Sequence, residues 1–203
     1  MMSGLIKKVV RWFSNPPTET NAEEQIGERS IDALKEWTGK TTATIIFDST
    51  VDEFTDDGLF DKVKGKQNIA LVVLTTDGDV FGGFYSVAVT EQDERFYDPN
   101  MFAFSFESHG RCETPQRFVV KVKDLKKKAI VFFYKDSLYG FVWFGVNRVG
   151  RFWLGNESSK SYCCNMSRAF EGLENTTLTG QNNTNFEIPP YHHCARLVAV
   201  QLE

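Results

Sequence analysis

The chain lacks both a long hydrophobic run and an excess of positive charge. No apolar stretch approaches the ~20 residues that a membrane-spanning helix needs, and the first residues lack the apolar core and small-residue cleavage site of a signal peptide. We therefore expect a protein that faces the cytosol. The net charge of −4 argues against a dedicated nucleic-acid binder, because phosphate contacts normally require a basic surface.

Cysteine and histidine are also scarce, with four Cys and three His in 203 residues. So few cysteines in a chain of this size fit reduced thiols better than a disulfide framework. Adjacent ligands lack the spacing that turns two side chains toward one metal, and strand alternation points one member of a doublet inward and the other outward. We therefore expect buried thiols, no cofactor and no enzyme activity. The less favoured alternative is a thiol or metal enzyme that uses Cys163, Cys164, His192, His193 and Cys194.

Nucleotide and calcium motifs are absent as well. Gly82 and Gly83 interrupt a stretch that otherwise alternates as a strand does, yet no G-x-x-x-x-G-K-[ST] or G-x-G-x-x-G pattern surrounds them. The carboxylates of residues 48–58 do not follow the spacing of an EF-hand loop. Glycine in a strand interior then marks a place where a neighbouring element comes close, so we interpret the pair as a packing feature.

The sequence divides into three parts, at residues 1–14, 15–41 and 42–203. The first predicts a short basic amphipathic helix, which either packs on its own domain, the interpretation we favour, or contacts a membrane surface or a partner. The residues that would make such a contact are Lys7, Lys8, Arg11, Trp12 and Phe13. The second part combines a linker with a helix that ends at Gly39 and packs Trp37 on the following domain.

The third part is rich in strands. Apolar residues alternate or cluster over nine short stretches, and residues 55–64 between the first two predict a short helix with Leu59, Phe60 and Val63 inward. Many strands with few helices between them favour antiparallel sheets packed face to face. The strand stretches are TATIIF, NIALVVL, VFGGFYSV, MFAFSF, RFVVKV, AIVFFY, YGFVWF, RFWLG and ARLVAVQL.

Three local features belong to this strand-rich part. Asp77-Gly78 lies between two apolar runs and predicts a hairpin with a type I′ turn. Phe81 and Phe104 are expected in the core, and Trp153 lies in another predicted strand. A concentrated basic run separates two strands and is interpreted as a solvated turn, with phosphate or an acidic partner as the alternative ligand. It contains Lys121, Lys123, Lys126, Lys127 and Lys128.

Several segments resemble TLDc domains, in order and with compatible spacing from about Thr42 to Glu203. GKQNIALVVLTTDGDVFGGFYS is similar to the family's buried strand followed by D-G-x-V-F-G-A, and GRFWLGN to its G-L-W-L-D. FYDPNMFAFSF and SYCCNMSRAF resemble its Y-G-x-x-x-x-F-L-F and S-x-x-C-x-T-F stretches, and residues 42–65 its opening strand and helix. The chain departs from the family in a reduced Gly-rich run, in Gly155 replacing an Asp, and in a C-terminal RLVAV that lacks an acid.

The resemblance implies an α+β fold that is mostly β, a two-sheet antiparallel β-sandwich flanked by a few helices. It further implies a non-enzymatic interaction module of the oxidative-stress response. The implied partner is the cytosolic part of the vacuolar proton pump, which places the protein in the cytoplasm at the surface of an acidic organelle. The alternative is a nucleic-acid-binding stress regulator in the nucleus, whose affinity would fall steeply with salt. Membrane contact would be peripheral only.

Overall fold

The computed structural model describes residues 26–121, 128–136, 141–155, 160–184 and 191–203. The helix predicted over residues 1–14 lies outside these ranges. So do several residues singled out from the sequence, namely Lys7, Lys8, Arg11, Trp12, Phe13, Lys123, Lys126 and Lys127.

The described part of the chain contains eleven strands and three helices. All nine predicted strands are present, and the two additional strands, β4 and β10, are three residues each. The elements are α1 (Glu28–Thr38), β1 (Ala43–Asp48), α2 (Asp56–Val63), β2 (Ile69–Thr75), β3 (Val80–Tyr85), β4 (Arg95–Tyr97), β5 (Phe102–Glu107), β6 (Gln116–Val119), β7 (Ala129–Phe133), β8 (Val142–Val146), β9 (Gly150–Leu154), β10 (Tyr162–Cys164), α3 (Met166–Ala169) and β11 (Cys194–Leu202).

The strands form two antiparallel sheets. The first sheet has six strands in the order β1-β11-β2-β3-β5-β6, and the second has five in the order β10-β9-β8-β7-β4. Because strand side chains alternate between faces, each sheet has an inner face toward the other sheet and an outer face. The expected two-sheet antiparallel β-sandwich is confirmed.

The main core lies between the two inner faces. Every residue of β2 is buried, because this central strand faces the second sheet on one side and α1 on the other. Large side chains that fill the space between the sheets include Phe47, Tyr85, Phe118, Phe133, Phe144, Phe152 and Phe170. A second apolar cluster lies on the outer face of the first sheet under α1.

The helix α1 covers the outer face of the first sheet. Ile31 and Leu34 are buried, and the ring of Trp37 packs against three rings of β5. The helix ends at Gly39, whose φ of 68° is the left-handed conformation that glycine adopts at little cost. The predicted stop and the predicted packing of Trp37 are both confirmed. The three rings that Trp37 contacts are Phe102, Phe104 and Phe106, with centroids 6.0–6.2 Å away.

The helix α2 also matches its prediction. The Thr55 side chain caps its first turn by accepting a hydrogen bond from the backbone N–H of Gly58 at 3.1 Å. Leu59, Phe60 and Val63 are buried, as their helical spacing predicts.

The hairpin between β2 and β3 is confirmed, but its predicted type I′ turn is wrong. The backbone N–H of Gly78 donates to the carbonyl of Thr75 at 3.0 Å, and the N–H of Thr75 donates to the carbonyl of Asp79 at 2.9 Å. Gly78 has φ 89°, whereas Asp77 does not have the positive φ that a type I′ turn requires. The three-residue loop is therefore a tight turn followed by a left-handed glycine.

The glycine pair in β3 lies where packing is closest. A side chain at Gly82 would point to the outer face of the first sheet, and one at Gly83 would point to the inner face. A Cβ at Gly82 would lie 1.9 Å from the backbone oxygen of Leu71 on the neighbouring strand and 2.6 Å from the ring of Phe104. A Cβ at Gly83 would lie 2.5 Å from the ring of Phe144 in the second sheet. Since no side chain fits at such distances without movement, the strand uses glycine to let both rings approach.

Candidate functional site

The cysteines and histidines considered for a chemical site lie at one end of the sandwich. The backbones of Ser161 and His192 exchange two hydrogen bonds, of 3.0 and 2.8 Å, and these join the start of β10 to the segment before β11. Cys163, His192 and Cys194 are buried, whereas His193 is exposed. The histidine doublet therefore alternates as its position beside a strand predicts.

The cysteine doublet alternates in direction but not in exposure. Cys163 points into the core between the sheets, whereas Cys164 is opposite Arg151 on the outer face of the second sheet. Cys164 is nevertheless buried, and the side-chain amide of Asn165 donates to its Sγ at 3.5 Å. The outward residue of the doublet is therefore covered rather than presented to solvent.

The electrostatics of this end do not favour a nucleophile. Burial raises the pKa of Cys163, and the neighbouring Cys164 and Asp79 raise it further, so the thiol stays protonated. Burial lowers the pKa of His192 to about 4, with His193 adding to the effect. Within the described residues no hydrogen bond reaches either ring nitrogen of His192, and its ring packs edge-on against Phe81 at 5.6 Å. A Cys–His dyad needs a hydrogen bond that activates the thiol.

Metal binding was the other chemistry considered for these residues. Over the described ranges, no group of three or more His, Cys, Asp or Glu residues is arranged to hold a metal ion. Of the candidate ligands, Cys163, Cys164, His192 and Cys194 are buried, and His193 is exposed.

A polar cluster that sequence reasoning did not single out lies at the same end. Asp79 is buried beside the hairpin loop, and Nδ1 of His109 lies 2.8 Å from its Oδ1. The guanidinium of Arg111 pairs with the same carboxylate and donates to the carbonyls of Thr177 at 3.1 Å and Leu178 at 3.2 Å. The cluster ties three loops together, which is a structural role.

The basic run is only partly described. The Lys121 ammonium donates to the carbonyl of Ser167 at 2.6 Å, so it is anchored on the domain, whereas Lys128 is exposed. The described part of the run therefore presents one lysine to solvent.

The outer face of the second sheet carries a row of aromatic side chains. Directly paired residues share a face of a sheet, and the register pairs Arg95 with Phe132, Phe132 with Trp143, Trp143 with Trp153, and Trp153 with Tyr162. Four rings and one guanidinium therefore follow one another across all five strands. We define the aromatic face as Arg95, Tyr97, Phe132, Tyr134, Trp143, Arg151, Trp153, Lys160, Tyr162 and Tyr191.

Rings of the aromatic face stack on one another and lie under cations. Tyr134 stacks on Trp153 with centroids 5.2 Å apart. The Arg151 guanidinium lies 5.3 Å from the ring centre of Trp143, and it donates to the Tyr162 hydroxyl at 3.1 Å. Burial raises the pKa of Tyr162, and the bond from Arg151 offsets this only in part, so the hydroxyl stays protonated. Cation–π contacts of this kind hold charge over apolar surface.

The aromatic face is also incompletely enclosed. Tyr97 is 54% exposed and Tyr191 is 40% exposed, and together with Val51 they are the exposed large hydrophobic residues of the described ranges. The indole N–H groups of Trp143 and Trp153 are buried and have no acceptor in the described part of the chain. Open rings and unsatisfied donors on one surface mark it as a candidate contact site.

Sequence reasoning singled out only Trp153 from this face. The alternation within β7, β8 and β9 was visible, but the register that lines up residues from five strands was not. Cross-strand pairing of predicted outward residues is the signal that could have found the others.

No helix among the described residues is long and apolar enough to cross a membrane.

Comparison with known proteins agrees with the fold. The family model of the TLDc domain matches residues 24–189, which include α1 and every strand except β11. No curated protein matches the chain. The match covers most of the sequence and confirms the predicted resemblance. This chain belongs to the TLDc domain family.

Proposed function

We propose that the domain is a non-enzymatic interaction module that docks on a cytosolic protein assembly through the aromatic face. The observation that carries the proposal is the combination of open tyrosines, Tyr97 and Tyr191, with tryptophan rings and cations on one sheet face. Tyr, Trp and Arg are the residues most enriched at the energetic centres of protein interfaces. A surface of this composition is suited to binding a protein.

The electrostatics of Cys163 and His192 support a binding role over a catalytic one. The thiol of Cys163 is protonated because burial raises its pKa, and the His192 ring is neutral because burial lowers its pKa to about 4. The thiol is therefore not a thiolate nucleophile at neutral pH, and an imidazole with so low a pKa is a weak base for activating it.

Family membership supplies the candidate partner. TLDc-like proteins are linked to oxidation resistance and to the cytosolic part of the vacuolar proton pump, so we propose the pump as the assembly and the cytoplasmic surface of an acidic organelle as the place. The stress role would then come from control of the pump rather than from chemistry on oxidants.

A direct binding measurement tests this proposal. The purified full chain is titrated against the immobilised cytosolic part of the pump by biolayer interferometry. Saturable binding that persists at physiological salt supports docking. A parallel titration with duplex DNA over a salt series separates the nucleic-acid alternative, whose affinity falls steeply as salt rises. If DNA binds and the pump does not, the proposed function is wrong.

A further inference from the structure

We infer that the aromatic face binds a short acidic segment of the partner in an extended conformation, lying across the strands of the second sheet. This inference rests on the proposed docking function and adds the chemistry of the bound segment. Three features of the face carry it, which are the length of the aromatic row, the position of its cations and its unsatisfied donors.

The length of the row sets the length of the segment. Arg95 lies on β4 and Tyr162 on β10, so four strand-to-strand steps separate them. At about 4.8 Å a step the row spans about 19 Å, which is the length of about six residues of extended chain at about 3.3 Å each. A segment of about seven residues therefore reaches from one end of the row to the other.

Cations lie at both ends of the row. Arg95 is exposed at the β4 end, and at the other end Lys160 is exposed, with its Nζ 4.7 Å from the ring centre of Tyr191. Two carboxylates about six residues apart would each meet a cation, since residues an even number apart in an extended chain point to the same side. Charge complementarity thus selects acidic residues at both ends of the segment.

Apolar side chains fit between the two cations. Phe132, Tyr134 and Trp153 are half-buried in the middle of the face, so each retains ring surface that a ligand can cover. The bound backbone also brings carbonyl acceptors to the sheet, and an outward rotation of Trp143 or Trp153 would present to one of them an indole N–H that has no acceptor among the described residues. The preferred pattern is acid-x-apolar-x-apolar-x-acid.

A single-stranded nucleic acid fits the face less well. Bases bind aromatic proteins by stacking on free ring faces, but the rings of Tyr134 and Trp153 stack on each other with an interplanar angle of 14°. The net charge of −4 also opposes the approach of a polyanion more strongly than that of a short peptide. The face is therefore better suited to a peptide than to a single-stranded nucleic acid.

The test uses a labelled peptide, Glu-Thr-Phe-Thr-Leu-Thr-Glu, titrated with the full chain by fluorescence anisotropy. We expect saturable binding in the micromolar range. Replacing both Glu with Gln in the peptide, or combining Arg95→Glu with Lys160→Glu in the protein, should weaken binding at least about tenfold. The matched control combines Arg29→Glu on α1 with Lys64→Glu directly after α2, which changes the net charge equally and should leave the affinity unchanged. Circular dichroism verifies that both double variants fold.

Three results overturn the inference. The first is equal affinity for the Glu and Gln peptides, and the second is equal weakening by the face variant and the control variant. The third is displacement of the labelled peptide by an oligothymidine of about 15 nucleotides at a lower concentration than unlabelled peptide requires. The docking function is judged separately. Pump binding that survives Arg95→Glu with Lys160→Glu refutes the inference but keeps the function, whereas peptide binding without pump binding refutes the function but keeps the inference.

Discussion

The two outer faces of the sandwich are both aromatic, yet they differ in what covers the rings. On the first sheet, Phe102 and Phe104 lie among aliphatic side chains, and α1 with Trp37 lies over them. The Arg117 guanidinium lies 5.5 Å from the ring centre of Phe102 and donates to the carbonyl of Trp37, so this cation is tied to the covering helix. On the second sheet, Arg151 and Lys160 lie over the rings, and Arg95 ends the row. The aliphatic residues around Phe102 and Phe104 include Val72, Val80, Val198, Val200 and Leu202.

This difference predicts separate roles for two similar surfaces. An aliphatic and aromatic face gains most by full burial, so the chain supplies its own helix to cover it. Cations over rings keep apolar surface compatible with water while leaving it able to bind. The first face therefore contributes mainly to stability, and we expect the second to contribute mainly to recognition.

The largest expected effect is on the covered face. Phe104→Ala removes a fully buried ring that contacts Trp37 and closes over Gly82. We expect a loss of about 3–5 kcal/mol in the free energy of unfolding, the usual cost of emptying a buried aromatic site. Urea denaturation of the variant and the wild type measures it. A loss under about 1 kcal/mol would mean that α1 does not seal this face.

The next largest effect is expected from lowering the pH, which acts on the buried His192 between the two sheets. His192 is neutral in the folded protein down to a pKa of about 4, whereas the unfolded chain takes up a proton near 6.5. His192 therefore does not change the free energy of unfolding above pH 6.5. As the pH is lowered from 6.5 to about 4, protonation of the unfolded chain at this residue lowers the free energy of unfolding by on the order of 3 kcal/mol. Denaturation curves over this range should show the loss. His192→Gln should flatten the pH dependence, and His193→Gln, at the exposed neighbour, should not.

The buried carboxylate of Asp48 titrates below pH 4, so it does not contribute to the loss of stability expected between pH 6.5 and 4. Burial alone would raise the pKa of Asp48, but the hydrogen bonds and charge of Arg196, with bonds from Thr50, lower it below its ordinary 3.8. Its contribution to stability is lost only as the pH falls through that lowered value. A loss of stability that began only below pH 4 would therefore point to Asp48 and contradict the role given to His192.

The sequence predicted the covered face better than the open one. Within β5, residues Phe102, Phe104 and Phe106 alternate along one strand, and Trp37 falls on the apolar stripe of one helix, so local periodicity identified both partners. The aromatic face instead depends on register between β4, β7, β8, β9 and β10, which no local pattern contains. Strands β4 and β10, at three residues each, are too short for alternation to be seen.

The same limit explains the turn and the polar cluster. Asp77-Gly78 correctly indicated a hairpin, but the loop length depends on where β2 and β3 stop pairing, which is a property of both strands. The hydrogen bond of Asp79 with His109 and its ion pair with Arg111 join residues some thirty positions apart, so no spacing rule indicates them. Sequence reasoning therefore recovered the elements and the core but not the contacts between loops.

A moderate effect is expected from removing the cover of the first face. Trp37→Ala deletes the half-buried ring that packs on Phe102, Phe104 and Phe106 while leaving those rings in place. We expect a loss of about 2 kcal/mol, less than for Phe104, because part of the Trp37 ring is already in water. Thermal unfolding measures the loss, and increased binding of a hydrophobic dye should accompany it as the face opens. An unchanged melting temperature would remove the distinction between the two faces.

The smallest effect on stability is expected on the aromatic face, where it should coincide with the largest effect on binding. Phe132→Ala removes a half-buried ring whose centre lies 4.6 Å from the ring centre of Tyr134 and 6.4 Å from that of Trp143. The loss of stability should be about 1 kcal/mol or less, because the site opens to solvent and leaves no closed cavity. Binding of the acidic peptide should fall at least about tenfold, since the ring lies within the row between Arg95 and Trp143. Urea denaturation and peptide anisotropy on the same protein sample separate the two quantities, with Trp37→Ala as the control that loses stability but keeps peptide binding. A variant that lost several kcal/mol and bound peptide normally would show that the aromatic face is a core in its own right and not a surface for a partner.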